Sequence, residues 1–189
     1  MGRHGIEGFR LYLRQNAAAD SQAENQHGPV IETISIGPKD HIGIGGPNGR
    51  GKSTLLKLLA AGLPTDLPRL ILLQIIGPTR IHKALEDATA LPGIQRKKLM
   101  TVYAQLNSDP EDLLACHKLS AGEARKLLLC LGFLKHPLIL ILDEPTNHLD
   151  LHSQAALANV LASYQGTLVI VSYDEDLLDT VSSIRSEAE

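Results

Sequence analysis

Aromatic residues, cysteines and long apolar runs are all scarce in this sequence. Of its 189 residues, 3% are aromatic and none is tryptophan, whereas 43% are hydrophobic, so a packed interior must consist of Leu, Ile, Val and Ala side chains. The two cysteines, Cys116 and Cys130, are too few for a disulfide framework, which predicts reduced thiols and a cytoplasmic protein. The longest apolar runs, at 138–142 and 168–171, are too short to span a bilayer, so no transmembrane segment is expected.

A strong positive charge is also missing. The 18 Lys and Arg residues against 21 Asp and Glu residues give a formal net charge of -3, which argues against a general nucleic-acid binder. A basic run at 96–98, with Arg80 and Lys83, leaves local contact with RNA phosphates open, although an exposed helix face explains these residues more simply. The chain length predicts a single domain over residues 1–189.

Short apolar segments alternate with helical segments along the chain. This alternation predicts an α/β fold with a mainly parallel sheet, helices on both faces and antiparallel strands at the N-terminus. A charged helical block at 79–117 is expected to be an inserted helical subdomain, residues 14–28 a flexible loop, and residues 182–189 a frayed end. The expected strands are 9–13, 30–36, 41–44, 69–76, 138–142 and 167–171, and the longer helices are 52–62, 120–134 and 151–164.

A glycine-rich segment between a strand and a helix predicts a phosphate-binding loop of the Walker A type. Residues 45–54 read GGPNGRGKST, in which glycines allow backbone N–H groups to surround phosphate oxygens and the helix N-terminus adds positive charge. Lys52 is expected to reach the terminal phosphates, and the Ser53 hydroxyl to bind Mg²⁺. A glycine-rich turn that binds nothing is the alternative. The predicted nucleotide-binding residues are Gly46, Pro47, Asn48, Gly49, Arg50, Gly51, Lys52, Ser53 and Thr54.

Two adjacent carboxylates follow a buried strand in LILILDEPTNHLD, residues 138–150. Asp143, at the exit of this strand, is placed to hold Mg²⁺ opposite Ser53. Glu144 is then a candidate general base for the water that attacks the γ-phosphate. The alternative is that these residues only cap a strand and the next helix.

The segment LSAGEARKLLL, residues 119–129, has a structural and a functional interpretation. Ser120 and Glu123 have the S-x-x-E spacing of a capping box ahead of an amphipathic helix. The same helix N-terminus, with Ser120 and Gly122, is also able to present donors to an anion. The two interpretations are compatible, because a capped helix end still carries its positive partial charge.

In this order, GPNGRGKST, LSAGE, LDEPTNHLD and VSYD resemble the nucleotide-binding cassette of ABC ATPases, over about residues 28–180. The EPTNHLD form resembles the F subfamily, whose members are soluble and several of which act on ribosomes, including in antibiotic resistance. The resemblance implies a P-loop NTPase fold and a head-to-tail dimer that encloses two ATP molecules. The phosphate loop of one cassette then faces the signature of the other, which here consists of Ser120, Ala121, Gly122 and Glu123.

The resemblance also assigns roles to isolated residues. It implies that Gln74 senses Mg²⁺ and the attacking water, and that Asp150 lies in a loop that crosses the dimer interface. It implies that residues 79–117 meet a partner. F-subfamily proteins usually carry two cassettes, so the second is expected from another copy of this chain or from another half of a longer protein.

Tyr173 is the main departure from the family, which usually has a histidine here that donates to the γ-phosphate. A tyrosine hydroxyl donates one hydrogen bond but does not become a cation near neutral pH, which predicts slow hydrolysis. The alternative is that tyrosine substitutes adequately for histidine, or that a nearby histidine such as His148 assists. Ala121 replaces the first of two signature glycines, and the region expected to stack on adenine lacks an aromatic residue, with Tyr12 or His27 as substitutes.

These features together predict an ATP-binding, weakly hydrolysing, dimeric ATPase with ATP and Mg²⁺ as its ligands and ribosomes as a candidate partner. One alternative is the ATPase subunit of a membrane transporter, which would dock through residues 79–117 and Gln74. Another is a nucleotide sensor without catalytic activity. A P-loop kinase fits less well, because the Asp143–Glu144 pair and the LSAGE helix would have no role in it.

Overall fold

A computed structural model describes residues 36–47, 51–115 and 119–187. Several features expected from the sequence therefore lie outside the described residues. These are the strand at 9–13, the loop at 14–28, residues 30–35 of the next strand, the residues Tyr12 and His27, and Asn48, Gly49 and Arg50 of the phosphate loop.

The described residues form one five-stranded sheet and seven helices. The strand order is β2-β3-β4-β1-β5, and each neighbouring pair is parallel, which confirms the predicted parallel sheet. In chain order the elements are β1 (His41–Gly45), α1 (Lys52–Gly62), β2 (Arg69–Leu72), α2 (Pro78–Ala90), α3 (Gly93–Gln105), α4 (Pro110–Ala115), α5 (Ala121–Phe133), β3 (Ile139–Asp143), α6 (Leu151–Ala162), β4 (Thr167–Val171), α7 (Glu175–Val181) and β5 (Ile184–Glu187).

Both faces of the sheet are buried, which explains why β3 and β4 are each apolar at four of their five positions. Successive side chains of a strand point to opposite faces. In β3, Leu140 and Leu142 join the core formed with α5, α6 and α7, whereas Ile139 and Ile141 join a second core with Leu56 of α1. The sheet thus lies between two helical layers, as the alternation of segments predicted.

Residues 184–187, which were expected to fray, are ordered in a strand. Ile184–Glu187 form β5, which pairs in parallel with β1 and supplies hydrogen-bond partners along that strand. Arg185 also holds β5 against α7, because its guanidinium lies 2.5 Å from a carboxylate oxygen of Glu175 and 2.5 Å from one of Asp179. The sequence pattern missed this strand because its side chains are mostly polar.

Strand β2 is shorter than the predicted strand at 69–76. Its pairing with β3 ends where Leu72 lies beside Leu142, and the chain then leaves the sheet. Gln74 consequently lies in the segment between β2 and α2, and the next residue, Ile75, is 85% exposed. Apolar composition alone does not distinguish such an exposed segment from a buried strand.

Three helices, α2, α3 and α4, occupy most of the charged block at 79–117. Ala84 of α2 and Tyr103 of α3 are buried in the same core as α5, so these helices pack against the body of the molecule. Over the described ranges, no helix is both long enough and apolar enough to cross a membrane.

Candidate functional site

A cavity of about 260 Å³ lies where β3 and β4 end and α1 begins. Parallel strands bring their carboxyl ends to one edge of the sheet, which is where open α/β sheets place ligands. The cavity gathers residues from four separate parts of the sequence. Its lining is Gly51, Lys52, Ser53, Thr54, Gln74, Asp143, Glu144, Val171 and Tyr173.

The turn from β1 into α1 depends on two glycines in left-handed conformations. Gly46 has φ 109° and Gly51 has φ 82°, values that side chains with a Cβ rarely adopt. Gly51 is also the N-cap residue of α1, and among the described residues no side chain caps this helix. The N–H groups of the first turn of α1 thus remain available to a ligand at the cavity wall.

Lys52 is buried within this turn. Its ammonium donates hydrogen bonds to the carbonyl oxygens of Gly46, at 2.6 Å, and Pro47, at 2.7 Å. The same ammonium lies 4.3 Å from the centre of the Tyr173 ring, a distance typical of a cation–π contact. Lys52 and Tyr173, 121 positions apart, therefore form one wall of the cavity.

The two carboxylates at the end of β3 are buried and incompletely hydrogen-bonded. Asp143 and Glu144 are 2% and 4% exposed, and Asp143 Oδ1 and Glu144 Oε1 have no hydrogen-bond partner among the described residues. The Ser172 hydroxyl donates a long hydrogen bond of 3.5 Å to Glu144 Oε2. Buried acceptors without partners are rare, and here they fit a cation or an ordered water in the cavity.

The pKa of Glu144 is raised to about 7, chiefly by burial and secondly by the neighbouring charge of Asp143. Lys52 and the hydrogen bonds from the Tyr173 N–H and Ser172 act in the opposite direction. A carboxyl with a pKa near the working pH suits general-base catalysis. Glu144 also has φ 47°, a left-handed backbone conformation that is uncommon outside glycine and often occurs at functional sites.

Arg125, in the second turn of α5, is a residue of this region that the sequence interpretation missed. Its side chain is 1% exposed and lies behind the cavity. One arm of its guanidinium donates to the Glu144 carbonyl oxygen at 3.0 Å, and the other arm donates to the Gln74 carbonyl oxygen at 2.7 Å. Burial lowers the pKa of Arg125, while the charges of Asp143 and Glu144 raise it. The sequence offered one signal for Arg125: it is a charged residue at a position on the core-facing side of an amphipathic helix.

The N-terminus of α5 has the expected capping box. The Ser120 hydroxyl accepts from the Glu123 N–H at 3.2 Å, and the Glu123 carboxylate accepts from the Ser120 N–H at 2.7 Å. These hydrogen bonds lower the pKa of Glu123. The predicted signature residues, Ser120, Ala121, Gly122 and Glu123, do not line the cavity of their own chain.

Gly122 has a structural role that the sequence did not indicate. A Cβ at this position would lie 2.4 Å from the carbonyl oxygen of His148, so the absence of a side chain allows α5 to approach the turn before α6. His148 itself has φ 66°. Packing within the chain is therefore one reason why this position requires glycine.

Asp150 lies in that same turn, as the N-cap of α6. Its carboxylate accepts from the Ser153 N–H at 3.0 Å and the Asn107 amide at 3.1 Å, and it lies 3.4 Å from the Lys126 ammonium. The Ser153 hydrogen bonds, followed by the charge of Lys126, lower its pKa. Asp150 therefore links the start of α6 to α5 and to the turn that follows α3, and it does not line the cavity.

Comparisons with known proteins agree with this geometry. No protein-family model matches the chain. It is 35% identical over 162 residues to "Probable ATP-binding protein YheS" of Haemophilus influenzae, covering 77% of this chain and 25% of that protein. It is 29% identical over 166 residues to ABC transporter F family member 2 of Dictyostelium discoideum, covering 79% and 28%. The chain thus spans about a quarter of the length of these curated relatives.

Solved structures support the same fold. The dimeric structure of MJ0796, a bacterial ABC transporter cassette, matches with a TM-score of 0.64 and 19% identity. The match covers 83% of this chain and 86% of that one. At this identity the similarity establishes the architecture of the cassette.

Proposed function

The chain belongs to the ABC ATPase cassettes, and its homologues include F-type ATP-binding proteins; from this premise we propose that it binds ATP with Mg²⁺ in the cavity at the end of β3 and hydrolyses it slowly. The proposal rests above all on the two unpartnered carboxylate oxygens of Asp143 and Glu144, which are buried beside Lys52. A buried carboxylate pair with an unpartnered oxygen on each residue is costly to the protein unless a ligand supplies the missing positive charge or hydrogen-bond donors.

The residues present fit a magnesium ion. The Ser53 hydroxyl and the Asp143 carboxylate line the same cavity, with the Gln74 side chain as a further oxygen donor, and Mg²⁺ prefers such ligands. When bound there, Mg²⁺ would neutralise charge on the phosphate oxygens.

The side chains around the cavity then have separate tasks in the proposed hydrolysis. Lys52 exchanges the carbonyls of Gly46 and Pro47 for terminal phosphate oxygens, and the N–H groups of α1 bind the remaining phosphate charge. Glu144 accepts a proton from the attacking water, which its raised pKa favours. Gln74, an exposed residue of the cavity lining, orients that water.

Tyr173 is the proposed reason for slow turnover. Its ring contacts the Lys52 ammonium, and the residue is 46% exposed. A phenol in this place donates a hydrogen bond but supplies no positive charge to the developing transition state.

A second cassette is part of the proposal. The signature residues lie outside the cavity of their own chain, so they are free to meet the nucleotide of a partner cassette. The dimeric assembly of the similar transporter cassette supports this arrangement. The partner would be another copy of this chain or another part of a longer protein.

The experiment that tests this function is phosphate release from MgATP at a series of protein concentrations, for the parent, Tyr173→His and Tyr173→Phe. We expect the parent to be slow, with a specific rate that rises with concentration, and Tyr173→His to be about tenfold faster. Tyr173→Phe is the matched control, because it keeps the ring over Lys52. A specific rate that is independent of concentration would contradict the dimer, and equal rates for the parent and Tyr173→His would contradict the role of Tyr173.

One other function has a specific observation in its favour. If the Tyr173 contact with Lys52 prevents catalysis entirely, the chain is a nucleotide sensor. In that case ATP binding persists in Glu144→Gln and phosphate release is zero in both proteins.

Ribosome association is a separate hypothesis that rests on the F-type resemblance. Sedimentation with ribosomes in the presence of a non-hydrolysable ATP analogue tests it, and a chain that stays in the supernatant would count against it.

A further inference from the structure

Arg125 is among the largest fully buried side chains of the described residues, although it carries a charge. Burying a guanidinium is costly unless hydrogen bonds replace its water. Its two terminal nitrogens have such partners in the carbonyl oxygens of Gln74 and Glu144, whereas its Nε has none among the described residues. The side chain is therefore held by two backbone segments that lie far apart in sequence.

Besides the guanidinium, the first of these segments, residues 73–76, is held mainly by Ile76, which packs against the core. Within the described part of the chain, the Arg125 donation to Gln74 is the one hydrogen bond that reaches these four residues. Ile75 is 85% exposed and contributes little packing. The position of the Gln74 side chain thus depends strongly on the guanidinium.

The second segment carries the candidate general base. Glu144 has a left-handed backbone conformation, its N–H donates to the Val171 carbonyl at 2.9 Å, and its carbonyl accepts from Arg125. A longer contact of 3.5 Å reaches the Asp143 carbonyl. Arg125 therefore supports the turn that directs the Glu144 side chain into the cavity.

We propose that Arg125 is a positioning residue: its guanidinium fixes the Gln74 loop relative to the Glu144 turn and couples both to the signature end of α5. This inference rests on the proposed ATPase function. Arg125 is five residues after Ser120 on the same helix, so a shift of the signature end upon meeting a partner's nucleotide moves the guanidinium and both of its acceptors. Gln74 and Glu144 then shift together when the signature end of α5 meets the partner's nucleotide.

A simpler role, that of a buried positive charge beside two carboxylates, makes different predictions. Arg125→Lys keeps the charge, but an ammonium has no planar fork to bridge carbonyls of two segments. If only the positive charge matters, Arg125→Lys retains the full ATPase activity of the parent. If bridging matters, Arg125→Lys folds and binds nucleotide but hydrolyses ATP slowly.

The test measures kcat and KM for ATP in the parent, Arg125→Lys, Gln74→Ala and the double variant. We expect Arg125→Lys to lower kcat at least tenfold and to change KM less than twofold. In the Gln74→Ala background, Arg125→Lys should cause a clearly smaller loss, because the side chain that it positions is gone. Leu161→Ala, a core truncation in α6, controls for lost stability and should leave kcat unchanged at a temperature where it is folded. Parent-like kcat in Arg125→Lys, or full additivity in the double variant, would overturn the proposal.

A second readout does not require hydrolysis and so separates this inference from the proposed function. A spin label at Ile75→Cys, in a Cys116→Ser background, reports the mobility of the Gln74 loop. Cys130 is buried and its pKa is raised to about 12, so it should not react with the label. The spectrum should become more mobile in Arg125→Lys, while a label at Ile94→Cys on α3 should not change. A parent without phosphate release would refute the proposed function alone, whereas an unchanged spectrum at position 75 would refute the inference.

Discussion

Two acidic sites in this molecule, the Asp143–Glu144 pair and Asp150, lie on either side of the same turn and differ in nearly every physical respect. The pair is buried, and each of its side chains has an oxygen without a hydrogen-bond partner among the described residues. Asp150 is half-exposed, and its oxygens accept from Ser153 and Asn107 and lie near Lys126. The pKa of Glu144 is raised and that of Asp150 is lowered.

This contrast shows how a protein distinguishes a structural carboxylate from a reactive one. Asp150 is satisfied by its own chain, so its ionised form stabilises the fold. Glu144 is desolvated beside a like charge, so its ionised form destabilises the fold unless a ligand supplies compensating charge. A functional site is thus recognisable as a place where the fold leaves polar groups incompletely satisfied.

The largest expected effect is on catalysis. Glu144→Gln should lower phosphate release roughly 10²–10⁴-fold, the usual contribution of a general base, while ATP binding is retained. Nucleotide binding by a fluorescent ATP analogue and phosphate release should be measured on the same samples. Glu86→Gln, in an exposed pair with His82 on α2, is the matched control and should keep the parent rate. Equal losses in both variants would remove the distinction between reactive and structural carboxylates.

The second effect is on stability and has the opposite sign. Without Mg²⁺ or nucleotide, Glu144→Gln should raise the free energy of unfolding at pH 8 by on the order of 3 kcal/mol, given a folded-state pKa of about 7 against an ordinary 4.5. The folded state holds its proton more tightly, so the penalty in the parent appears as pH rises from about 4.5 to about 7. Urea unfolding at pH 5 and pH 8 should show a gain that grows with pH. A destabilised variant at pH 8 would refute the raised pKa.

The third effect is at the contact between α5 and the turn that carries Asp150. It distinguishes a packing requirement for Gly122 within the chain from a requirement for contact with a partner. Gly122→Ala should destabilise the protein by about 1–3 kcal/mol, because the new methyl group would overlap the His148 carbonyl oxygen. Gly93→Ala is the matched control, since a Cβ there meets nothing within 4 Å. Chemical denaturation of both variants measures the difference. If Gly122→Ala is as stable as Gly93→Ala, glycine at this position is required only for an interaction with a partner.

The smallest effect is expected at Asp150. Asp150→Asn retains a side-chain oxygen for the Ser153 N–H but loses the charge near Lys126, so Tm should fall slightly at pH 7. Because the folded-state pKa of Asp150 is lowered, its charge stabilises the fold above the unfolded pKa, and this benefit is lost as pH falls through the folded value. Thermal unfolding from pH 7 down to about pH 2 should show the two proteins converge only below the ordinary aspartate pKa of 3.8, because the lowered folded-state pKa keeps the charge in the fold until then. A Tm difference that persists in acid would show that the shape of the side chain, rather than its charge, causes the loss of stability.

Sequence patterns predicted the local parts of the molecule well. The α5 capping box is set by residues three positions apart, and the glycines before Lys52 act within one turn, so their spacing in sequence is also their geometry in space. The α/β architecture followed from apolar strands alternating with helices, because only a sheet covered on both faces buries such runs.

The errors arose where long-range packing decides. The predicted strand at 69–76 ends at Leu72, where its pairing with β3 stops and the chain leaves the sheet. The polar residues 184–187 form β5 because β1 offers them a pairing edge. Arg125 escaped notice because its two acceptors lie 51 and 19 residues away. No short window of sequence contains such a contact.

By itself, the sequence determined the chemistry available to this protein: a phosphate-binding turn, two carboxylates after an apolar strand, and a capped helix. These depend on backbone rules and hydrogen bonds that operate within a few residues. The tertiary structure alone decided which groups are satisfied and which are left reactive. It buried Glu144 beside Asp143, surrounded Asp150 with donors, and placed Arg125 behind the cavity, because desolvation and charge pairing depend on neighbours that only the folded chain brings together.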